Sequence, residues 1–132
     1  MEGIFTKITS IMEKTFKGET TEVGLYLTMA RKAELEGYPD IAMYLKNLAW
    51  EEAGHACEVL TILGKYGGME IKSTKENLQM MLEGEKMATQ EKLDAAMIAR
   101  DEGVPDAALF FESASKDEHR HRSALEGFLK KL

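Results

Sequence analysis

Two stretches of this chain carry a glutamate followed three residues later by a histidine, Glu52-Ala-Gly-His55 and Glu118-His-Arg-His121. Residues three apart on a helix share a face, so each pair aims a carboxylate and an imidazole in one direction. Hard carboxylate oxygens with imidazole nitrogens are the donor set of divalent first-row metals. Two more glutamates join them: Glu19 lies 33 residues before Glu52, and Glu85 lies 33 before Glu118. One Glu-x-x-His alone reads as a surface glutamate with an incidental histidine. Two copies at matched spacing call for a common cause.

That cause is an internal repeat at an offset of 66 residues. Glu19, Glu52 and His55 recur as Glu85, Glu118 and His121, and Ala30, Ala33, Gly37, Pro39, Asp40 and Ala42 recur as Ala96, Ala99, Gly103, Pro105, Asp106 and Ala108. Part of the repeat is turn chemistry, because glycine ends a helix and proline with aspartate opens the next. The acid and histidine positions are not turn residues. The expected elements are four helices in two hairpins, 10–64 and 73–132, joined by a Gly-rich connection at 65–72. Ser10 with Glu13 and Ser73 with Glu76 fit capping boxes at the starts of the first and third helices.

The repeated acids interrupt apolar stripes. In the second helix, positions 41, 45, 48, 52, 55, 59 and 62 read Ile, Leu, Leu, Glu, His, Val, Ile. In the fourth, positions 107, 111, 114, 118, 121, 125 and 128 read Ala, Phe, Ala, Glu, His, Leu, Phe. Glu19 and Glu85 stand on similar stripes of the first and third helices, where Lys92 crowds the apolar face of the third. The expectation is an all-α four-helix bundle with four carboxylates and two imidazoles turned inward. Burying four unpartnered carboxylates costs many kcal/mol or forces protonation. Two divalent cations balance the four charges. The oxygen-rich set argues against a structural zinc site, which prefers Cys and His, and it does not separate iron from manganese.

Composition narrows the class. Net charge is −6 with no basic cluster, so nucleic acid is a poor partner. No stretch approaches the ~20 apolar residues of a membrane span, and residues 1–10 lack a signal peptide's apolar block. The expected location is the cytoplasm. One cysteine excludes an intrachain disulfide and a four-cysteine metal site in these residues. Cys57 is expected as a small buried helix residue, and the nine methionines as core filling. His119 should face solvent, about 100° around the helix from Glu118. Trp50 lies off the stripe and reads as a packing or dimer contact.

One Glu from each of two helices with Glu-x-x-His from each of two others is the pattern of ferritin-like di-iron and di-manganese proteins. Over residues 9–132 the chain resembles the rubrerythrins within that superfamily. The resemblance is carried by Lys-Gly-Glu-Thr at 17–20 with Tyr26, Glu-Gly-Tyr-Pro-Asp-Ile-Ala at 36–42, Trp-Glu-Glu-Ala-Gly-His-Ala at 50–56, Glu-Asn-Leu at 76–78, Glu-Gly-Glu at 83–85, and Asp-Glu-His-Arg-His at 117–121. It implies a ferritin-like fold and two iron ions, with manganese or zinc as alternatives. The implied ligands are Glu19, Glu52, His55, Glu85, Glu118 and His121, with Glu52 and Glu118 bridging. It also implies reduction of hydrogen peroxide, or reaction with dioxygen. Tyr26 is then a hydrogen-bond donor beside the ligands, or ordinary core packing.

Two departures from the family pattern set further expectations. Typical rubrerythrins carry a rubredoxin domain with two Cys pairs, whereas this chain has one cysteine. Its electrons are expected from a separate donor such as a rubredoxin. Typical rubrerythrins also carry a glutamate three residues after the third-helix ligand, where this chain has Ala88. The repeat places Glu22 at the equivalent position of the first helix, so Glu22 is expected to take over that role. It would ligate directly, accept a hydrogen bond from a ligand histidine, or face solvent. A homodimer is expected, with exchange of helical hairpins an option, because a short second connection must travel back along the bundle. Two other functions compete with the oxidoreductase reading: a ferroxidase or iron-handling protein, and a non-catalytic bundle stabilised by a redox-silent metal.

Overall fold

A computed structural model describes residues 6–132. It contains α1 (Thr6–Leu35), α2 (Pro39–Leu63), a short 3₁₀ turn (Gly64–Tyr66), α3 (Thr74–Asp101) and α4 (Pro105–Leu129). No strand occurs among the described residues. The chain divides into two compact units, 1–71 and 72–132, each one antiparallel helical hairpin. The all-α, two-hairpin reading therefore holds, with the helix order expected from the sequence.

Both hairpin turns are built alike. Gly37 and Gly103 take the left-handed conformation, with φ of 85° and 75°. The Gly37 N–H donates to the Glu34 carbonyl and the Tyr38 N–H to the Ala33 carbonyl, at 3.1 and 2.8 Å. The same pair of bonds recurs from Gly103 to Arg100 and from Val104 to Ala99. This Schellman pattern satisfies carbonyls that the helix end leaves open, and glycine adopts its φ without a Cβ penalty. Pro39 and Pro105 then open α2 and α4, where a missing N–H costs nothing.

The caps were half legible. Ser73 caps α3, its hydroxyl oxygen accepting from the Glu76 N–H at 3.2 Å. Ser10 does not cap α1. The helix begins at Thr6 and Ser10 lies inside it. An added turn brings backbone hydrogen bonds whose gain exceeds the few tenths of a kcal/mol that an interior serine costs. Residues 1–5, half of the stretch tested for a leader, lie outside the described residues.

The close seam inside each hairpin is made of small residues. On α2 the buried positions are Ala42, Ala49, Ala56 and Leu63, one heptad apart, and on α1 they are Ala30 and Ala33. In the second hairpin the buried residues are Ala96, Ala99, Ala108, Ala114 and Ser115. The 41/45/48/52/55/59/62 stripe is therefore not the innermost face. It lies one position beside the alanine heptad, where Leu45, Leu48, Glu52 and Val59 are half-buried and Ile41, His55 and Ile62 are exposed. Alanines win the seam because they let two helix backbones approach closely. Larger residues then stand along its flanks. Replacing Ala49 by leucine should overpack the seam and destabilise the protein by about 1–3 kcal/mol in denaturant unfolding.

Two expectations about burial fail for the same reason. Cys57 is exposed, because it falls 100° past Ala56, off the seam. Met29, Met43, Met80, Met81, Met87 and Met97 are exposed rather than core filling. A two-helix layer has one narrow inner seam, and alanines occupy it. His119 is exposed, as expected. Trp50 is 78% exposed.

An ion pair bridges the helices of each hairpin near its turn. Lys46 Nζ donates to Glu34 Oε1 at 2.6 Å, and Arg100 pairs with Glu112. The repeat makes these the same two positions with the charges exchanged. Such exposed pairs are worth about 0.2–1 kcal/mol, so they align the hairpin more than they stabilise it.

Candidate metal centre

The repeated acids and histidines converge in two groups, one in each hairpin. Donor atoms of Glu19, Glu52 and His55 lie within 4.8 Å of one another, and so do those of Glu85, Glu118 and His121. In the first, α1 supplies Glu19 and α2 supplies the Glu-x-x-His pair. The His55 Nδ1 is 3.6 Å from Glu19 Oε2 and 3.8 Å from Glu52 Oε1. In the second, α3 supplies Glu85 and α4 the pair, with His121 Nδ1 3.5 Å from Glu85 Oε2 and 3.4 Å from Glu118 Oε2. All six expected ligands are thus placed as two like triads.

The carboxylates are largely withdrawn from solvent, with side-chain exposures of 15–19%, while His55 and His121 are 58% and 52% exposed. Against the expectation of six buried donors, the glutamates are half-buried and the histidines exposed. Each imidazole sits at the open edge of its hairpin, one turn past the glutamate it follows.

The triads fit a cation on their own geometry. Glu19 Oε2 and Glu85 Oε2 are buried and have no hydrogen-bond partner. A buried carboxylate oxygen without a partner is costly, and a divalent ion held with the adjacent imidazole removes the cost. The second triad also shows the strain of close carboxylates. Glu85 is held above the ordinary glutamate value, first by its hydrogen bond with Glu118, then by burial and by the Glu118 charge. Glu118 is held below that value, first by the same hydrogen bond, against an opposing push from burial, and then by Lys92 and His121. A cation beside both carboxylates would relieve that opposition.

The remaining expected residues stand apart from these groups. Glu22, one turn beyond Glu19, is exposed and is not among the converging donors. Tyr26 is half-buried on α1. Sequence reasoning gave too little weight to Lys92. Its Nζ lies 3.3 Å from Glu118 Oε1, and its side chain is only 28% exposed. The signal was present in the repeat, since Lys92 occupies the position that Tyr26 holds in the first half.

No described helix is long and apolar enough to cross a membrane. The chain is 43% identical over 124 residues to an uncharacterised protein of Methanocaldococcus jannaschii, covering 94% of this chain and 85% of that one. It is 38% identical over 128 residues to reverse rubrerythrin-1 of Clostridium acetobutylicum, covering 97% of this chain and 69% of the relative. Among solved structures, an open-pore ferritin of Archaeoglobus fulgidus aligns with all of this chain and 87% of its own, at 18% identity and a TM-score of 0.47. A rubrerythrin family model matches residues 10–129, and the chain belongs to the rubrerythrin family.

Proposed function

We propose that this protein is a di-iron oxidoreductase that reduces hydrogen peroxide, with dioxygen as the alternative oxidant. The observation that carries the reading is the pair of repeated Glu/Glu/His triads, each with a buried carboxylate oxygen lacking any other partner. Similarity to a reverse rubrerythrin supports it. Bound iron would supply the electrons; the net reaction takes one peroxide, two protons and two electrons to two waters. Glu19 and Glu85 would each hold one ion with the neighbouring imidazole, and Glu52 and Glu118 would bridge. Held by these six residues, the ions would act as Lewis acids on a small oxidant. The Tyr26 hydroxyl, seven residues along the same face from Glu19, is the proposed hydrogen-bond donor beside it.

These 132 residues contain one cysteine, so the electron donor is proposed to lie outside them, with a rubredoxin as the fitting class. The assembly is proposed to be a homodimer with exchanged hairpins, for reasons of connection length and exposed apolar surface argued in the Discussion.

The test is anaerobic stopped-flow oxidation of the di-ferrous protein by peroxide and by dioxygen. The expected result is stoichiometric oxidation, faster with peroxide. An inert di-ferrous protein would leave a metal-stabilised scaffold, and a large shell-like particle in solution would favour iron storage. In the same assay Glu22→Ala should change the peroxide rate by about tenfold while the iron content stays the same. An unchanged rate would leave Glu22 a solvent residue. The carboxylate reaches the metals only by turning inward from its exposed position, so its effect is on the reaction and not on holding the ions.

A further inference from the structure

We propose that Lys92 is the resident cation of the second triad and that it makes the two triads load in a fixed order, Glu19/Glu52/His55 first and Glu85/Glu118/His121 second. The inference rests on the reading of both triads as metal sites. It concerns a difference between them that the repeat would not lead one to expect.

The donor residues of the two triads are identical, and their surroundings are not. Lys92 Nζ lies 3.3 Å from Glu118 Oε1, while Glu118 Oε2 lies 3.4 Å from His121 Nδ1. Both oxygens of Glu118 are therefore engaged before any metal arrives. In the first triad, among the described residues, His55 is the basic side chain within ion-pair distance of the acids. No lysine or arginine of the described residues is within ion-pair distance of Glu19 or Glu52. The position matching Lys92 is Tyr26, which carries no positive charge. Leaving the histidines neutral, as ligands must be, the acids and lysine sum to −2 in the first triad and −1 in the second.

Lys92 is placed to matter. It is seven residues beyond Glu85 on α3, two turns along the same face. Its side chain is mostly withdrawn from water, where a charge acts over distance more strongly than at an open surface. A metal ion bound to Glu118 would sit about 2.0–2.2 Å from the carboxylate oxygen. On the oxygen that Lys92 holds at 3.3 Å, that leaves it within about 5.5 Å of an ammonium that stays in place. Repulsion between a single and a double positive charge at that range weakens binding by about tenfold even with the screening of bulk water. The lysine escapes this by swinging into solvent, and then its ion pair with Glu118 is lost. Either way the cost falls most heavily on the second triad, whose own carboxylate is the one Lys92 holds. A one-metal form with the first triad filled is the consequence at limiting metal.

The test uses Mn(II), a redox-silent probe, titrated into metal-free full-length protein and followed by calorimetry and electron paramagnetic resonance. Wild type should bind two ions in steps separated by about tenfold or more in affinity. Glu19→Gln should remove the tighter step, and Glu85→Gln the weaker. Lys92→Met should tighten the weaker step until the two merge, with helix content by circular dichroism unchanged. Should that variant fold poorly, Lys92→Gln removes the same charge. Tyr26→Lys should in turn weaken the first step. Two equal steps in wild type, no change on removing the Lys92 charge, or loss of the tighter step in Glu85→Gln would overturn the proposal while leaving two metal sites standing. No bound Mn(II) in wild type, or titrations of both glutamine variants identical to wild type, would overturn the metal-site reading and the loading order with it.

Discussion

Glu52→Ala and, separately, Glu118→Ala are expected to lose at least one of two bound metal ions, with affinity for the remainder reduced more than about 100-fold. Removing groups that merely orient a ligand costs about 10–100-fold, and these residues are proposed to touch the metals themselves. Each supplies a carboxylate that is largely buried, 15% exposed for Glu52 and 18% for Glu118, beside the imidazole three residues on. In the proposed bridging role each would screen two cations expected about 3.5–4 Å apart, so deleting one would expose them to each other's repulsion. Stability should follow occupancy. An ion present at about a thousand times its dissociation constant stabilises the fold by about 4 kcal/mol, so chelation should lower the melting temperature by roughly 10 °C. Metal analysis by mass spectrometry with thermal melts would check both. Full retention of both ions in either alanine variant would reject the ligand assignment.

A dimer mass in sedimentation is the second large expected result, with hairpins exchanged between the two copies. The connection between the hairpins is short. The 3₁₀ turn consumes residues 64–66 of the connection, leaving 67–73 before α3. Seven residues span at most about 24 Å. Folding the second hairpin back so that Glu85 meets Glu52 within one chain requires retracing α2 beyond His55 and α3 before Glu85. Those segments together measure about 28 Å at 1.5 Å per residue. Exchange with a second copy removes the return path. Exposed apolar surface favours the same assembly. Leu27 and its repeat Leu93 are 47% and 42% exposed, and Trp50, Leu109 and Phe110 more so. Monomeric proteins rarely leave such side chains open in number, and covering the rest of each would contribute roughly 1 kcal/mol.

Two variants separate exchange from simple association. Leu27→Glu with Leu93→Glu should turn the dimer into a monomer and release metal. Inserting six Gly/Ser residues between Gly67 and Gly68 should instead give a monomer that keeps both ions, because the second hairpin can then fold back. A wild-type monomer with two metals bound would sink the idea. A dimer unaffected by the insertion would leave association without exchange.

The sequence by itself determined the helices and brought out the candidate donors. Glycine at a left-handed C-terminus and proline at a helix start act locally, so Gly37-x-Pro39 and Gly103-x-Pro105 mark the turns of both hairpins without reference to anything distant. The Glu-x-x-His pairs were legible because helical geometry alone puts residues three apart on one face, and the repeat supplied their partners Glu19 and Glu85. Tertiary structure decided what local rules leave open. Ser10 satisfies a capping motif, yet α1 starts four residues earlier at Thr6. The apolar arc of α2 is wide enough to be read as either of two adjacent heptads, and only contact with α1 selected Ala42, Ala49, Ala56 and Leu63 as the buried one. That selection moved the Glu52/His55 stripe to the flank, opened His55 to solvent, and left Cys57 exposed. It also separated Lys92 from Tyr26 in meaning. The sequence shows a lysine and a tyrosine at matched positions; packing of α3 on α4 set the lysine against Glu118, because which carboxylate a long flexible cation reaches depends on the neighbouring helix.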